Sequence, residues 1–297
     1  MVDLGNYILT IMVSLLIFVT LSESWNLMGG YAGQVNLGMA AYFGTGALCS
    51  ILVYAAGAPF LLALVAGGLG ATVVACVIGP PTLRLRGAYF GIGTMAMAEV
   101  LRLVATTTFT KSLYSPPSYW ATFTLTKSYY IALAVAIATI VVAYLVVHSR
   151  LGLVLQAIRD DEDAANASGM DPARYKMIVF IISSFLAGVA GGVLVYHHGN
   201  INVPGQFTMD WTIGSIVSVT IGGWGTLAGP VLGSIIFVII REMLGRTFPT
   251  AYLVVTGIIF VLVITFLPDG LVSLRAEIRR LLASRARRSE PSLSKGD

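Results

Sequence analysis

The sequence predicts an all-α fold: a polytopic membrane helical bundle of about eight transmembrane segments, some of them glycine-broken or re-entrant. Three observations predict it. Of the 297 residues, 57% are hydrophobic and only 11% charged, with a mean hydropathy of +0.85, whereas soluble domains carry about 25% charged residues. Apolar stretches of roughly 20 residues, enough to span about 30 Å of hydrocarbon, recur along the chain. Two stretches, around 29–38 and 222–230, interrupt this apolar character with glycine rather than charge.

Taken in order, the first segment is 7–22. The residues ahead of it carry Asp3 and no Lys or Arg. A secretory leader wants a basic start and a small-residue cleavage site, so 7–22 is expected to stay as a membrane helix. Further spans are expected at 37–56, 59–79, 88–108, 129–148, 177–197 and 249–267. Length alone would allow two domains, but no Pro-, Ser- or charge-rich linker divides the body. Residues 1–274 therefore read as one transmembrane domain with a loop at 149–176, followed by a basic cytoplasmic tail at 275–297. That tail anchors topology and can touch anionic membrane lipid.

The net charge is +4, and every Lys and Arg lies at or beyond Arg84. These basic residues flank membrane segments or fill the tail, which gives no support to nucleic-acid binding. Lys and Arg near segment ends stay inside, so Arg84–Arg86, the loop 150–176 and the arginines from Arg275 to Arg288 are all expected in the cytoplasm. The 109–128 loop and the 198–210 loop, which has no Lys or Arg, are then external. Region 211–243 must begin and end outside. With Ile221 to Pro230 as a glycine-rich break in its middle, it is either two short crossings or a re-entrant hairpin. Non-helical backbone at membrane depth is tolerated only inside protein or beside a water-filled cavity.

The early stretch Leu27 to Gly46 shares the pattern Gly-Gly-aromatic-small, with Gly29-Gly30-Tyr31-Ala32 matching Gly222-Gly223-Trp224-Gly225. Paired glycine-interrupted segments point towards internal repeats flanking a transport path. The plainer alternative is that Gly38, Gly44 and Gly46 let helices pack closely.

The long polar island Arg150 to Lys176 has its own start and stop signals. Asp160, Asp161, Glu162 and Asp163 precede Ala164, Ala165 and Ala167, then Gly169. Acids favour a helix start, alanines its body and glycine its end. Asp171-Pro172 restarts a helix, with Asp as cap and Pro in the first turn. Two helices meeting at an angle on the membrane surface are expected, either as an external handle or as a well-capped solvated loop.

Glu99 and Arg102 lie three apart and share one helical face. They read as a mutually paired structural couple or as a proton or substrate relay. Glu23 and the pair Arg241 and Glu242 sit at segment ends, where interfacial placement explains them. Cys49 and Cys76 fall in apolar segments and suggest neither a disulfide nor a metal site. His197 and His198 lack further ligands, so no metal site is expected. Pro116-Pro117 among Tyr114, Tyr119, Trp120 and Phe123 reads as an outer aromatic belt or as a docking surface for an external partner. No nucleophile elbow, phosphate-binding lysine loop or zinc motif is present. The chain is not expected to be an enzyme or to hydrolyse ATP, and it has no catalytic residues.

Several of these stretches carry a family resemblance. Arg150 to Met170, with Arg174-Tyr-Lys176, closely resembles the cytoplasmic loop in permease subunits of branched-chain amino-acid ABC transporters. Leu83 to Glu99, Gly33-Gln-Val-Asn-Leu-Gly38, Gly222 to Pro230 and Phe266 to Leu274 resemble the family's remaining signatures. The likeness covers roughly 20–275 in order. The Leu-Arg-Leu-Arg-Gly junction and the Ile-Arg-Asp-Asp-Glu core favour the M-type of two sister permeases.

The resemblance implies a homologous sister permease, two cytoplasmic ATP-binding subunits that carry ATP and Mg, and an extracytoplasmic substrate-binding protein. This chain would bind no cofactor itself and would lie in the inner membrane of a prokaryote. It further implies that the loop is the ATPase-coupling handle, with Arg159, Asp160, Asp161, Glu162, Ala165 and Gly169 at its centre and a helix over 159–170. Gly33, Gln34, Asn36, Gly38, Gly222, Gly223 and Gly225 would line or gate the translocation path. Asn36 and Met39 depart from the Ser and the His or Gln that are common in the family. Urea or short amides are thus an alternative cargo to branched-chain amino acids. A self-contained carrier with Glu99 as proton-coupling carboxylate is the alternative from another class.

Overall fold

The computed structural model describes residues 4–109, 113–116, 119 and 123–247, together with positions 254, 257, 258, 261, 265, 270 and 271. The expected span 249–267 and the tail 275–297 lie outside these residues, apart from single positions in the former. Helices run as α1 (Leu4–Asn26), α2 (Met39–Ala55), α3 (Phe60–Thr82), α4 (Ala88–Thr108), α5 (Leu125–His148), α6 (Arg150–Asp160), α7 (Glu162–Ala167), α8 (Pro172–His198), α9 (Val203–Gln206), α10 (Met209–Gly222) and α11 (Ala228–Thr247). Among the described residues, six helices are long and apolar enough to cross a membrane, and α2 is a shorter apolar one. This is a polytopic helical membrane bundle.

Helix α8 is its axis. In its apolar window 78% of the residues are buried, against 22–39% in the other long helices. It packs against α2 and α3 through small residues. A Cβ on Gly46 would land on the backbone of Gly188, and one on Gly191 would land on the Phe43 carbonyl. Helices in lipid gain no hydrophobic drive from meeting each other, so close backbone approach through such residues is what holds them. Of the two readings of Gly44 and Gly46, close packing is the one the fold realises: Gly44 lies against the Phe207 ring.

The rim faces lipid. Leu62, Leu69, Val73 and Val77 of α3, Ile92, Val100 and Leu103 of α4, and Ile137, Val141 and Leu145 of α5 are exposed apolar residues. Exposed aliphatic rows on three successive helices suit a hydrocarbon solvent.

Contacts orient the bundle. Arg86 pairs with Asp163 at 3.0 Å, so the Arg84–Arg86 turn and the polar loop share one end, the inner end, which is the one expected in the cytoplasm. Arg159 of α6 reaches Gly30, just beyond α1. Helix α1 therefore starts at the outer end and runs inward, and Tyr7 near its start donates to Glu242 near the end of α11 at 2.7 Å.

The same contacts decide region 211–243. Helices α10 and α11 pack as a hairpin whose turn, 223–227, lies at the same end as the polar loop, beside the end of α1. The two arms differ in length. At 1.5 Å per residue, the 14 residues of α10 reach only about 21 Å, and Trp211 in its first turn stacks on Phe18, midway along α1. Helix α10 therefore begins inside the bundle.

The 198–210 stretch, expected as an external loop, tucks inward to deliver α10 there. Ile201, Val203 and Phe207 are buried with Ala47, Ile51 and Ala105. At the outer end, β1 (Leu113–Tyr114) pairs antiparallel with β2 (Asn200–Ile201). Tyr119 is buried and donates to the Tyr196 carbonyl at 2.7 Å, while Tyr114 is exposed. The aromatic loop is thus partly an internal cover, although Pro117 and Trp120 lie outside the described residues.

Candidate functional site

The two glycine breaks meet. After Asn26 the chain passes through one buried π-helical turn, Leu27–Tyr31, a geometry that often marks functional sites. It then runs without helix to Gly38. This segment is packed inside protein, and most of its polar groups are satisfied locally, Gln34 Oε1 being buried without a partner. Trp25 Nε1 donates to the Asn36 carbonyl at 2.7 Å, the Gly38 amide to Asn36 Oδ1 at 2.8 Å, and the Leu37 amide to Thr94 Oγ1 at 3.1 Å. Gln34 and Asn36 are both buried.

The second break follows α10. Gly223 and Gly225 take φ values of 124° and 67°, which favour glycine. Thr226 Oγ1 accepts from the Gly229 amide at 3.1 Å and starts α11.

Asn26 joins the two breaks. Its Nδ2 donates to the Thr226 carbonyl at 2.9 Å and its Oδ1 accepts from the Gly225 amide at 3.0 Å. The rings of Trp25 and Trp224 meet edge to face at 5.1 Å. The Gly-Gly-aromatic echo is therefore spatial as well as sequential, although Trp25 rather than Tyr31 meets Trp224.

Arg159 lies over this junction from the polar loop. Its Nη1 donates to the Gly30 carbonyl at 2.6 Å. A Cβ on Gly225 would stand 2.8 Å from the same nitrogen, and one on Gly33 would stand 3.0 Å from Arg159 Cγ. One side chain of the loop thus touches both breaks, and a Cβ at either glycine would press on it.

The loop itself follows its capping signals, with one correction. The helix expected over 159–170 is cut at Asp161. Arg159 and Asp160 end α6, and the Asp161 carboxylate caps α7 by accepting from the amides of Asp163 and Ala164 at 3.0 and 2.9 Å. Gly169 turns the chain at φ 86°. Asp171 then caps α8 through the Arg174 amide at 3.2 Å, with Pro172 in the first turn.

Two pairs tie the loop down. Glu162 binds Lys176 at 2.6 Å, with the Lys side chain 2% exposed, and Asp163 binds Arg86. Ala165 is buried beneath α7, whereas Asp160, Asp163, Asn166 and Gly169 face outward.

The membrane charges divide three ways. Glu99 and Arg102 pair with each other, Arg102 Nε lying 2.8 Å from Glu99 Oε2, and they face the outside of the bundle. That is the structural couple. Glu23, expected at an interface, is instead fully buried; α1 runs on through Asn26, so its polar end is packed inside protein. Arg241 is also more than interfacial, since its guanidinium lies over Phe18 and Trp211, 5.0 and 5.6 Å from the ring centroids. An arginine spaced from aromatics on other helices leaves no signal in sequence.

Comparison with known proteins identifies the family. The family described as branched-chain amino acid transport system / permease component covers residues 7–264. The chain is 27% identical to the high-affinity branched-chain amino acid transport system permease protein LivM of Escherichia coli K12, over 86% of this chain and 68% of that one. It is 24% identical to the probable LivM permease of Methanocaldococcus jannaschii, over 71% and 68%. With the LivH permease of Escherichia coli K12 it shares 27% identity over 50% and 46%. The chain belongs to the permease-component family of branched-chain amino acid transport systems.

Proposed function

We propose that this chain is the M-type membrane subunit of an ABC importer in the inner membrane of a prokaryote, and that it moves branched-chain amino acids inward beside a sister permease. Two cytoplasmic ATP-binding subunits drive it, and an external binding protein delivers the cargo. The observation that carries this reading is Arg159. It extends from the loop where an ATPase would seat to the Gly30 carbonyl at one break and the face of Gly225 at the other. ATPase closure that moves α6 and α7 therefore moves both breaks together. Gly33, Gln34, Asn36 and Gly38 on one side, and Gly222, Gly223 and Gly225 on the other, form the inner gate.

The outward residues of α7, with Asp160 and Gly169 at its ends, are the docking face. Glu162 and Ala165 hold the handle to the body. Proton coupling through Glu99 is disfavoured, because a coupling carboxylate faces a partner or cavity inside the bundle and this one is paired on the exterior.

The test is uptake of labelled leucine into proteoliposomes carrying the assembled transporter and its binding protein. Uptake that requires internal ATP and survives collapse of the proton gradient supports the reading. Uptake that follows the proton gradient without ATP contradicts it.

A further inference from the structure

The outer half of the bundle holds a second feature that the gate does not use. A cavity of about 530 Å³ lies between α1, α8, α10 and α11, walled by Ile11, Leu194, Trp211 and Val238 with Arg241 and Glu242 among its lining. That size falls within the roughly 300–1,000 Å³ range of small-molecule sites. Arg241 is half-buried and has no carboxylate or other hydrogen-bond acceptor among the described residues. Its contacts are the faces of Phe18 and Trp211, which stack on each other at 5.5 Å.

Aromatic faces offset part of the cost of a desolvated guanidinium but leave its fork of five N–H donors unused. A cation at membrane depth is ordinarily paired. The adjoining acid, Glu242, is held by the Tyr7 hydroxyl at 2.7 Å. A bidentate cation, a carboxylate one residue away and aliphatic walls between them match the three parts of an apolar α-amino acid.

We propose that Arg241 receives the carboxylate of an apolar α-amino acid in this cavity, with its ammonium towards Glu242 and its side chain among Ile11, Leu194 and Val238. The identity of the ligand rests on the transport reading above; the anion site rests on Arg241 itself. Occupancy is felt at the gate. Trp211, the floor of the cavity, stacks on Phe43 at 4.3 Å, and the next residue, Thr212, accepts from the Ala40 amide at 2.9 Å. Both contacts fall in the first turns of α2, just after Gly38.

The experiment is equilibrium binding of labelled leucine to the assembled transporter in nanodiscs of purely zwitterionic lipid without the binding protein. Two competitors separate the groups: 4-methylpentanoate keeps the carboxylate and lacks the ammonium, while 3-methylbutylamine does the reverse. A charge-assisted contact of this kind is lost as about a ten- to hundredfold weakening. Arg241→Gln should weaken leucine and 4-methylpentanoate by that factor and leave the amine unchanged. Arg241→Lys, which keeps a cation over the rings, should fall between.

Wild-type affinity for leucine in Arg241→Gln overturns the site, as does equal loss of acid and amine, which would mean that the cavity had collapsed. Arg241-dependent co-purification of phosphatidylglycerol that leucine does not displace would overturn it too, by assigning the anion to lipid. Labelled-leucine uptake with binding protein and ATP, run on the same preparations, separates the two claims. Uptake with unchanged Arg241→Gln binding removes only the site, whereas no uptake at all removes the cargo reading.

Discussion

Replacing Arg159 with alanine removes the contact between the cytoplasmic loop and the inner gate. The lost interaction is a charged donor on the Gly30 carbonyl at 2.6 Å. Hydrogen bonds to charged groups contribute about 1.5–3 kcal/mol. Arg159 sits on a solvent-facing part of α6, so the lower end applies, about 1.5 kcal/mol, roughly a tenfold change in how often the loop engages the gate. The assay is leucine moved per ATP hydrolysed in proteoliposomes. Arg159→Ala should lower that ratio about tenfold while assembly with the ATP-binding subunits stays intact. Gly225→Ala should act the same way from the other side. Its φ of 67° is strained for alanine by about 1–2 kcal/mol, and the new methyl presses on Arg159 Nη1. A wild-type ratio in Arg159→Ala, at wild-type assembly, would refute the linkage.

Three further outcomes follow from the geometry. Glu162→Ala leaves the Lys176 ammonium buried and unpaired, which costs about 3–5 kcal/mol; thermal unfolding in detergent should show a large loss, and the double variant Glu162→Gln with Lys176→Met should recover most of it. Gly188→Leu drives a side chain into the α2–α8–α3 seam and should abolish accumulation in the membrane, whereas Gly205→Ala, with open space around it, should accumulate normally; immunoblots of membrane fractions compare them. Glu99→Gln breaks only an exterior pair, so uptake should stay within about twofold of wild type, and abolished uptake would revive proton coupling.

Much of this molecule is legible from local chemistry. Asp171-Pro172 starts α8 because Asp supplies a cap and Pro lacks the amide that a first turn leaves unused. The two glycine runs mark the breaks because few other residues hold the positive φ found at Gly33, Gly223 and Gly225. What stayed hidden is tertiary. Three of the four consecutive acids at 160–163 are aspartates that each qualify as a cap, and the ties from Glu162 to Lys176 and from Asp163 to Arg86 accompany the choice of Asp161. Glu23 at the end of an apolar run looks the same whether it meets water or protein; here α1 continues and buries it. Helix α10 is as apolar as a full crossing, and only the stacking of Trp211 on Phe18 shows that it begins at mid-depth. The family resemblance marks Arg159 as a coupling residue, but its contacts with Gly30 and Gly225, distant in sequence and close in space, leave no local signal.

The most direct measurement is purification of the tagged chain in mild detergent, with mass spectrometry of what accompanies it and an ATPase assay on the product. A second permease and ATP-binding subunits should co-purify, with hydrolysis stimulated by the loaded binding protein and that stimulation lost when residues 159–170 are replaced. A chain that purifies alone and moves solute after reconstitution without ATP would contradict the proposed function.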